Sequence, residues 1–189
     1  PRARDGVIDG PLKVISVGLL EHVKGHDKLI RSLPLIDDVI LTIVGDGSER
    51  AHLQELAVNL GVSDRVVFAG AVPNEKILDL YKAADLYAWP SRFGGLSIVI
   101  IEAGAVGLPM VLGAVVGDPD TGDIFGSAAE IVESTPEGFA EAFRSISKSP
   151  ERLEAMSRDV FTVFKSISGE QMEERERSMY LQLVDGQQS

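Results

Sequence analysis

A doubly wound α/β domain built on a parallel sheet is what this sequence predicts, and two observations predict it. Short runs of β-branched and other apolar residues recur along the chain, and between them lie segments whose apolar residues fall at helical spacing. A strand that is apolar without alternation is buried on both faces. A helix between two such strands carries the chain back to the same end of the sheet, so the strands run parallel and the crossovers are right-handed.

The elements follow in order. LKVISVG (12–18) is the first strand, and a helix from about Lys24 to Ser32 comes after it. VILTIVG (39–45) is the second strand; GDGS turns the chain into ERAHLQELAVNLG, where Leu53, Leu56, Ala57 and Leu60 share a face and Gly61 caps the end. RVVFAG (65–70) precedes the helix NEKILDLYKAA, with Ile77, Leu80, Tyr81 and Ala84 on one stripe. DLYAWP (85–90), the helix LSIVIIEAGAVG and the strand LPMVLG (108–113) complete the central units. GAVVGDPDTGDIFGS (113–127) reads as a loop and AAEIVES as a short last strand. Three helices close the chain: EGFAEAFRSIS, PERLEAMSRDVFTVFKSI and GEQMEERERSMYLQLV. In the last, Met172, Met179, Tyr180 and Leu183 line one face and EERER charges the others, as in a lid or a strap toward another domain. The expected fold is therefore a Rossmann-like sheet of about six strands with helices on both faces. It divides into a linker (1–11), the domain itself (12–167) and the closing helix (168–189).

Composition narrows the function classes. The 189 residues, 44% of them hydrophobic, are enough to bury a core. Asp and Glu number 29 against 18 Lys and Arg, a formal charge of −11, which repels nucleic acid and acidic lipid surfaces. With no cysteine there is no disulfide framework, thiolate metal site or cysteine nucleophile. No apolar run reaches the roughly 18 residues that a membrane span needs, so no membrane span is expected, and PRARDGVIDG lacks the apolar core of a signal peptide. Cytoplasmic localisation fits, with peripheral membrane attachment through another domain as a variant. A start at Pro1 suggests a piece of a longer protein.

In such a sheet the ligand lies outside the C-terminal ends of the strands, in the loops after Gly18, Gly45, Gly70, Pro90 and Gly113. Glycine there permits close backbone approach, and turn chemistry alone would also select it. Lys24 stands beside Gly25 at a helix start, where a cation opposes the helix dipole unless it serves an anion that the helix amides also attract. It binds phosphate or is a solvated surface lysine. Gly94 and Gly95 leave the backbone open before the next helix, whose first amides, near Leu96, Ser97 and Ile98, form a ready anion site. Glu102 sits among apolar residues, where it needs sugar hydroxyls, a cation or backbone donors as partners, or else faces solvent from the helix edge. His22, His26 and His52 lack metal-ligand spacing and read as surface histidines. Trp89 and Phe93 flank the loop after the fourth strand and read as core packing or loop anchors rather than base-stacking residues, and Ser91 lies in no nucleophile elbow. GDGSER lacks the spacing of a dinucleotide fingerprint and no P-loop is present, which weighs against a nicotinamide-dependent enzyme.

In order, LKVISVGLLEHVKGHDKLI, LTIVGDGSERAHLQELAVNLGVSDRVVFAGAVPNEKILDLYKAADLYAWPS and GGLSIVIIEAGAVGLPMV resemble the C-terminal, donor-binding domain of retaining GT-B glycosyltransferases of family four, also called group one. The likeness runs from about Leu12 to Val184 and rests on the combination of segments. It implies a UDP- or GDP-sugar donor, no required metal or other cofactor, and an acceptor sugar or lipid-linked acceptor held by an N-terminal domain outside this chain. It further implies that Lys24 binds the diphosphate and that Ala71, Val72 and Asn74 belong to the loop that meets the base through backbone groups. Leu96, Ser97 and Ile98 would offer amides to the phosphates, beside Gly94 and Gly95, and Glu102 would accept hydrogen bonds from the ribose. Three positions depart from the family: the first of its two glutamates, which binds the transferred sugar, falls at Gly94, its arginine after the first strand falls at Leu19, and Ser97 replaces a usual glycine, a milder change.

Two readings follow from the resemblance. One is the donor half of a hexosyl-transferring glycosyltransferase, inactive in isolation. The other is a nucleotide- or nucleotide-sugar-binding regulatory module whose catalysis was lost at Gly94 and Leu19.

Overall fold

A computed structural model describes residues 10–90, 97–114 and 126–167. The expectations for the linker 1–9, for Ser91, Phe93, Gly94, Gly95 and Leu96, for most of the loop 113–127 and for the last helix concern residues outside that set.

Six strands form one sheet: β1 (Leu12–Val17), β2 (Val39–Val44), β3 (Val66–Gly70), β4 (Leu86–Trp89), β5 (Met110–Ala114) and β6 (Ala129–Glu133). All pairings are parallel and the order is β3-β2-β1-β4-β5-β6. The helices are α1 (His26–Ser32), α2 (Arg50–Asn59), α3 (Asn74–Ala83), α4 (Ile98–Ala105), α5 (Pro136–Ser147) and α6 (Pro150–Ile167). The order reverses between β1 and β4, the switch point at which a crevice opens beyond the carboxyl ends of the strands.

Side chains on the two faces of the sheet feed two cores. Leu12, Val14, Leu41, Leu86, Ala88 and Val111 pack with Leu29 and Ile30 of α1, Leu53 and Leu56 of α2, and Phe139 and Phe143 of α5. Ile15, Val44, Tyr87, Trp89, Met110 and Leu112 pack on the other face with Ile77 and Tyr81 of α3 and Ile100 and Ala103 of α4. Every residue of β4 is buried because helices cover both of its faces. Trp89 is part of this second core. Helix α6 serves both cores: Leu153 and Met156 join the first, and Val160, further along, joins the second.

Several boundaries differ from the sequence reading. His22–Lys24 form a 3-10 turn that ends at Gly25, in the left-handed conformation (φ 73°), so α1 starts at His26 and Lys24 precedes it. Gly25 resets the chain direction, as a left-handed glycine does at a helix end. Asn74 is the first residue of α3, where the sequence reading starts that helix, although the resemblance also counts it in the loop that meets the base. Helix α4 begins at Ile98, after an extended Ser97 (φ −85°, ψ 143°).

His26 is not a surface histidine. It is 3% exposed, and its Nδ1 lies 3.3 Å from Ser16 Oγ of β1. Its position in α1 turns it inward with Leu29 and Ile30, and the small Ser16 makes room for the ring.

Candidate functional site: the crevice at the switch point

The loops after β1, β2 and β3 form one wall of the crevice. Gly18 N–H donates to Val44 O (3.0 Å), Leu20 N–H to Asp46 O (2.9 Å) and Gly45 N–H to Gly70 O (2.8 Å), so the three strand ends are laced together by backbone. This close approach requires glycine. A Cβ on Gly45 would stand 1.9 Å from Gly18 O, and one on Gly47 would stand 2.5 Å from Leu20 O. Of the two explanations for the GDG turn, close backbone approach therefore holds, with the protein's own chain as the approaching partner. Asp46 caps the turn: its Oδ1 accepts from Gly47 N–H at 2.8 Å, and its Oδ2 pairs with Arg50 Nη1 at 3.3 Å. The Arg50 guanidinium lies over Gly70, 3.4 Å from where a Cβ would be.

Lys24 is half-buried on the loop leading from β1 to α1, and its charge is felt at His26. Burial pulls the His26 pKa down to about 4; the nearby Leu19 backbone and Asp27 oppose that shift, and Lys24 adds to it. His26 Nε2 has no hydrogen-bond partner among the described residues. Leu19 itself is 58% exposed. Ala71 is exposed and Val72 half-buried in the turn between β3 and α3.

The opposite wall is α4. Ser97 O accepts from Ile100 N–H at 2.9 Å, while the amides of Ile98 and Val99 have no backbone acceptor among the described residues. Such amides and the helix dipole favour an anion. Ser97 is half-buried and Ile98 is 56% exposed. Glu102, one turn further on, is half-buried, and the partner found for it is one the sequence reading missed. The Tyr81 hydroxyl lies 3.1 Å from Glu102 Oε2 and 3.2 Å from Val99 O, and its single proton serves one of them at a time. Burial, the Glu102 charge and the hydrogen bond to it all push the Tyr81 pKa up, so the phenol stays neutral and donates. The Tyr81 ring meets Tyr87 of β4 edge-on, with centroids 6.1 Å apart. Burial likewise pushes the Tyr87 phenol well up, helped by Tyr81 and Glu102.

At the floor, Lys28 Nζ donates to Ser134 Oγ (2.7 Å), and Ser134 Oγ donates to Pro90 O (3.3 Å). These bonds tie α1 to the segments following β6 and β4. Sequence reasoning placed Tyr81 on an apolar stripe and His26 at the surface, and assigned neither of them, nor Arg50, Lys28 or Ser134, to the site. For Tyr81 a signal existed: a phenol on an apolar helical stripe must bury its ring and still find a partner for its hydroxyl.

The parallel sheet and the reversal of its strand order between β1 and β4 define a doubly wound, Rossmann-like α/β domain. The chain belongs to the group 1 glycosyl transferases, whose family model matches residues 2–161. Over 167 residues it is 35% identical to the GDP-mannose-dependent alpha-(1-6)-phosphatidylinositol monomannoside mannosyltransferase of Mycolicibacterium smegmatis, covering 82% of this chain and 43% of that protein. It is 38% identical over 123 residues to the D-inositol 3-phosphate glycosyltransferase of Mycobacteroides abscessus, covering 62% of this chain and 28% of that one. Its fold matches sucrose-phosphate synthase from Thermosynechococcus elongatus with a TM-score of 0.79 at 24% identity, over 94% of this chain and 46% of that one. It also matches Anabaena Alr3699/HepE in complex with UDP, with a TM-score of 0.76 at 21% identity, over 89% and 49% of the two chains. The chain thus spans less than half the length of each of these proteins. Its architecture is that of the C-terminal half of a GT-B glycosyltransferase.

Proposed function

We propose that this domain binds the nucleoside diphosphate of a UDP- or GDP-sugar and, within a longer protein, serves retaining transfer of a hexosyl group to an acceptor sugar or lipid-linked acceptor held by an N-terminal domain. The observation that carries the proposal is the placement of complementary groups on the two walls of the switch-point crevice. Lys24 lies on the loop after β1, and the amides of Ile98 and Val99, which have no backbone acceptor among the described residues, and the carboxylate of Glu102 lie on the helix after β4. A diphosphate is neutralised by the lysine and the helix start, and ribose hydroxyls donate to Glu102. Ala71, Val72 and the start of α3 at Asn74 present backbone groups toward the base. Gly94, Gly95 and Leu96 complete the phosphate loop in this reading, and the domain uses no metal or other cofactor. It divides into a leading linker, this nucleotide-sugar domain and a closing helix that straps toward the N-terminal half, in a cytoplasmic protein. The relatives support the class of ligand: one is named for GDP-mannose and a structural neighbour holds UDP.

Calorimetric titration with UDP, GDP and their sugar forms tests the reading. Micromolar binding of one nucleotide, weakened about tenfold by Lys24→Ala, is the expected outcome, since one charged hydrogen bond to phosphate is worth at least that much. Absence of binding to either nucleotide sinks it.

One observation favours a second reading, a catalytically degenerate binding module. Leu19, at the position where the resemblance puts an arginine, is exposed beside the crevice and offers no charge to a leaving diphosphate. Losing one such group commonly costs about 3 kcal/mol in the transition state. Nucleotide binding with no preference for any attached sugar supports the module; sugar transfer by the intact protein rejects it. Gly94→Glu should then introduce discrimination among sugar nucleotides.

A further inference from the structure

We infer that Tyr81 is a positioning residue for the nucleotide site: its hydroxyl holds one oxygen of Glu102 so that the other faces the crevice, ready for a ribose diol. This rests on the reading of Glu102 as the ribose acceptor. A glutamate has three side-chain torsions to fix, and Glu102 sits only half-buried on α4, so packing alone does not fix them. Among the described residues, the Tyr81 hydroxyl at 3.1 Å from Oε2 is the hydrogen-bond partner of this carboxylate, and no bond is made to Oε1. The holder is itself rigid. Tyr81 is fully buried, and its ring packs edge-on against Tyr87 of the central strand β4. Its hydroxyl also reaches Val99 O at 3.2 Å, one turn before Glu102, which ties α3 to the start of α4. Between these two acceptors a charged carboxylate is the stronger, so the proton rests on the Glu102 side. Fixing the carboxylate before the nucleotide arrives removes an ordering cost from binding.

The deletion of one oxygen atom tests this. The 189-residue chain is titrated with UDP and GDP, and with the 2′,3′-dideoxy form of whichever binds. Tyr81→Phe is expected to weaken the ribonucleotide by about fivefold, the order set by one hydrogen bond, and to leave the dideoxynucleotide unchanged. In a Glu102→Ala background the same change should add nothing. An equal loss for both nucleotides marks a merely structural role and overturns the inference, as does an unchanged affinity for both. If the wild-type chain itself fails to prefer the ribonucleotide, the ribose role of Glu102 falls and this inference falls with it. If the wild type discriminates and Tyr81→Phe discriminates equally well, Glu102 keeps its role and Tyr81 alone loses its own. Should Tyr81→Phe not fold, 3-fluorotyrosine at position 81 retains the hydroxyl. Its fluorine resonance should move on adding the ribonucleotide and not the dideoxynucleotide, and an identical response to both overturns the inference.

Discussion

The two walls of the crevice are built by different means. On the β1–β2 side, backbone lies directly on backbone, and Gly45 and Gly47 are there because any side chain would collide with the neighbouring loop. On the α4 side a side chain holds a side chain, Tyr81 to Glu102, across two helices. A backbone-on-backbone wall tolerates almost no substitution and sets the crevice's shape. A wall held by side chains can be retuned one hydrogen bond at a time, and it is the wall on which binding chemistry can change without loss of the fold.

The largest way to break this contrast is Gly45→Ala. Its Cβ would lie 1.9 Å from Gly18 O, at a φ of 135° that L-residues rarely adopt, so a loss of about 3 kcal/mol or more in denaturant unfolding is expected. A near-neutral result would show the wall to be deformable. Acid attacks the same wall through His26, which lies beneath Gly18. Folded, His26 takes up a proton near pH 4, while an unfolded histidine does so near 6.5. The unfolded chain therefore binds more protons in that window, so stability is complete above pH 6.5 and falls by about 3 kcal/mol as pH drops through it toward 4. Unfolding free energies measured across that range should lose this component in His26→Asn, provided the variant folds; an identical slope would reject the assignment.

The α4 wall should respond differently. Glu102→Ala is expected to weaken ribonucleotide binding about tenfold while moving the unfolding midpoint little, because the residue is only half-buried. A large stability loss without a binding effect would assign Glu102 to the scaffold. The smallest effect serves as a control away from both walls. Thr135 caps α5, accepting from Gly138 N–H at 3.1 Å, and Thr135→Ala should cost about 1 kcal/mol of stability with nucleotide affinity unchanged.

Much of the fold was legible because its signals are local. β1, β2 and β4 are apolar runs bounded by turn residues, and their edges fall within a residue or two of the sequence reading. The stripe Leu53, Leu56, Ala57 announced α2 and its buried face. Errors came where the chain geometry depends on a distant contact. Lys24 was read into α1, and a left-handed Gly25 puts it outside. His26 was read as a surface residue because nothing adjacent in sequence declares that Ser16, on β1, leaves space for its ring. Tyr81 was legible as a core residue, but its hydroxyl's partner lies 21 positions away on another helix.

The sequence by itself therefore determined the class of fold, the run of strands and helices, and the residue types at each loop that nucleotide chemistry would use. Periodicity, turn residues and charge are properties of neighbours in the chain, and they survive without knowledge of the tertiary structure. Which loops face one another, why GDG must be glycine, and what holds the carboxylate at Glu102 were decided only when the sheet order brought β1 beside β4 and the packed chain brought Tyr81 of α3 to Glu102 of α4. Those are contacts between segments far apart in sequence, and only the packed chain specifies them.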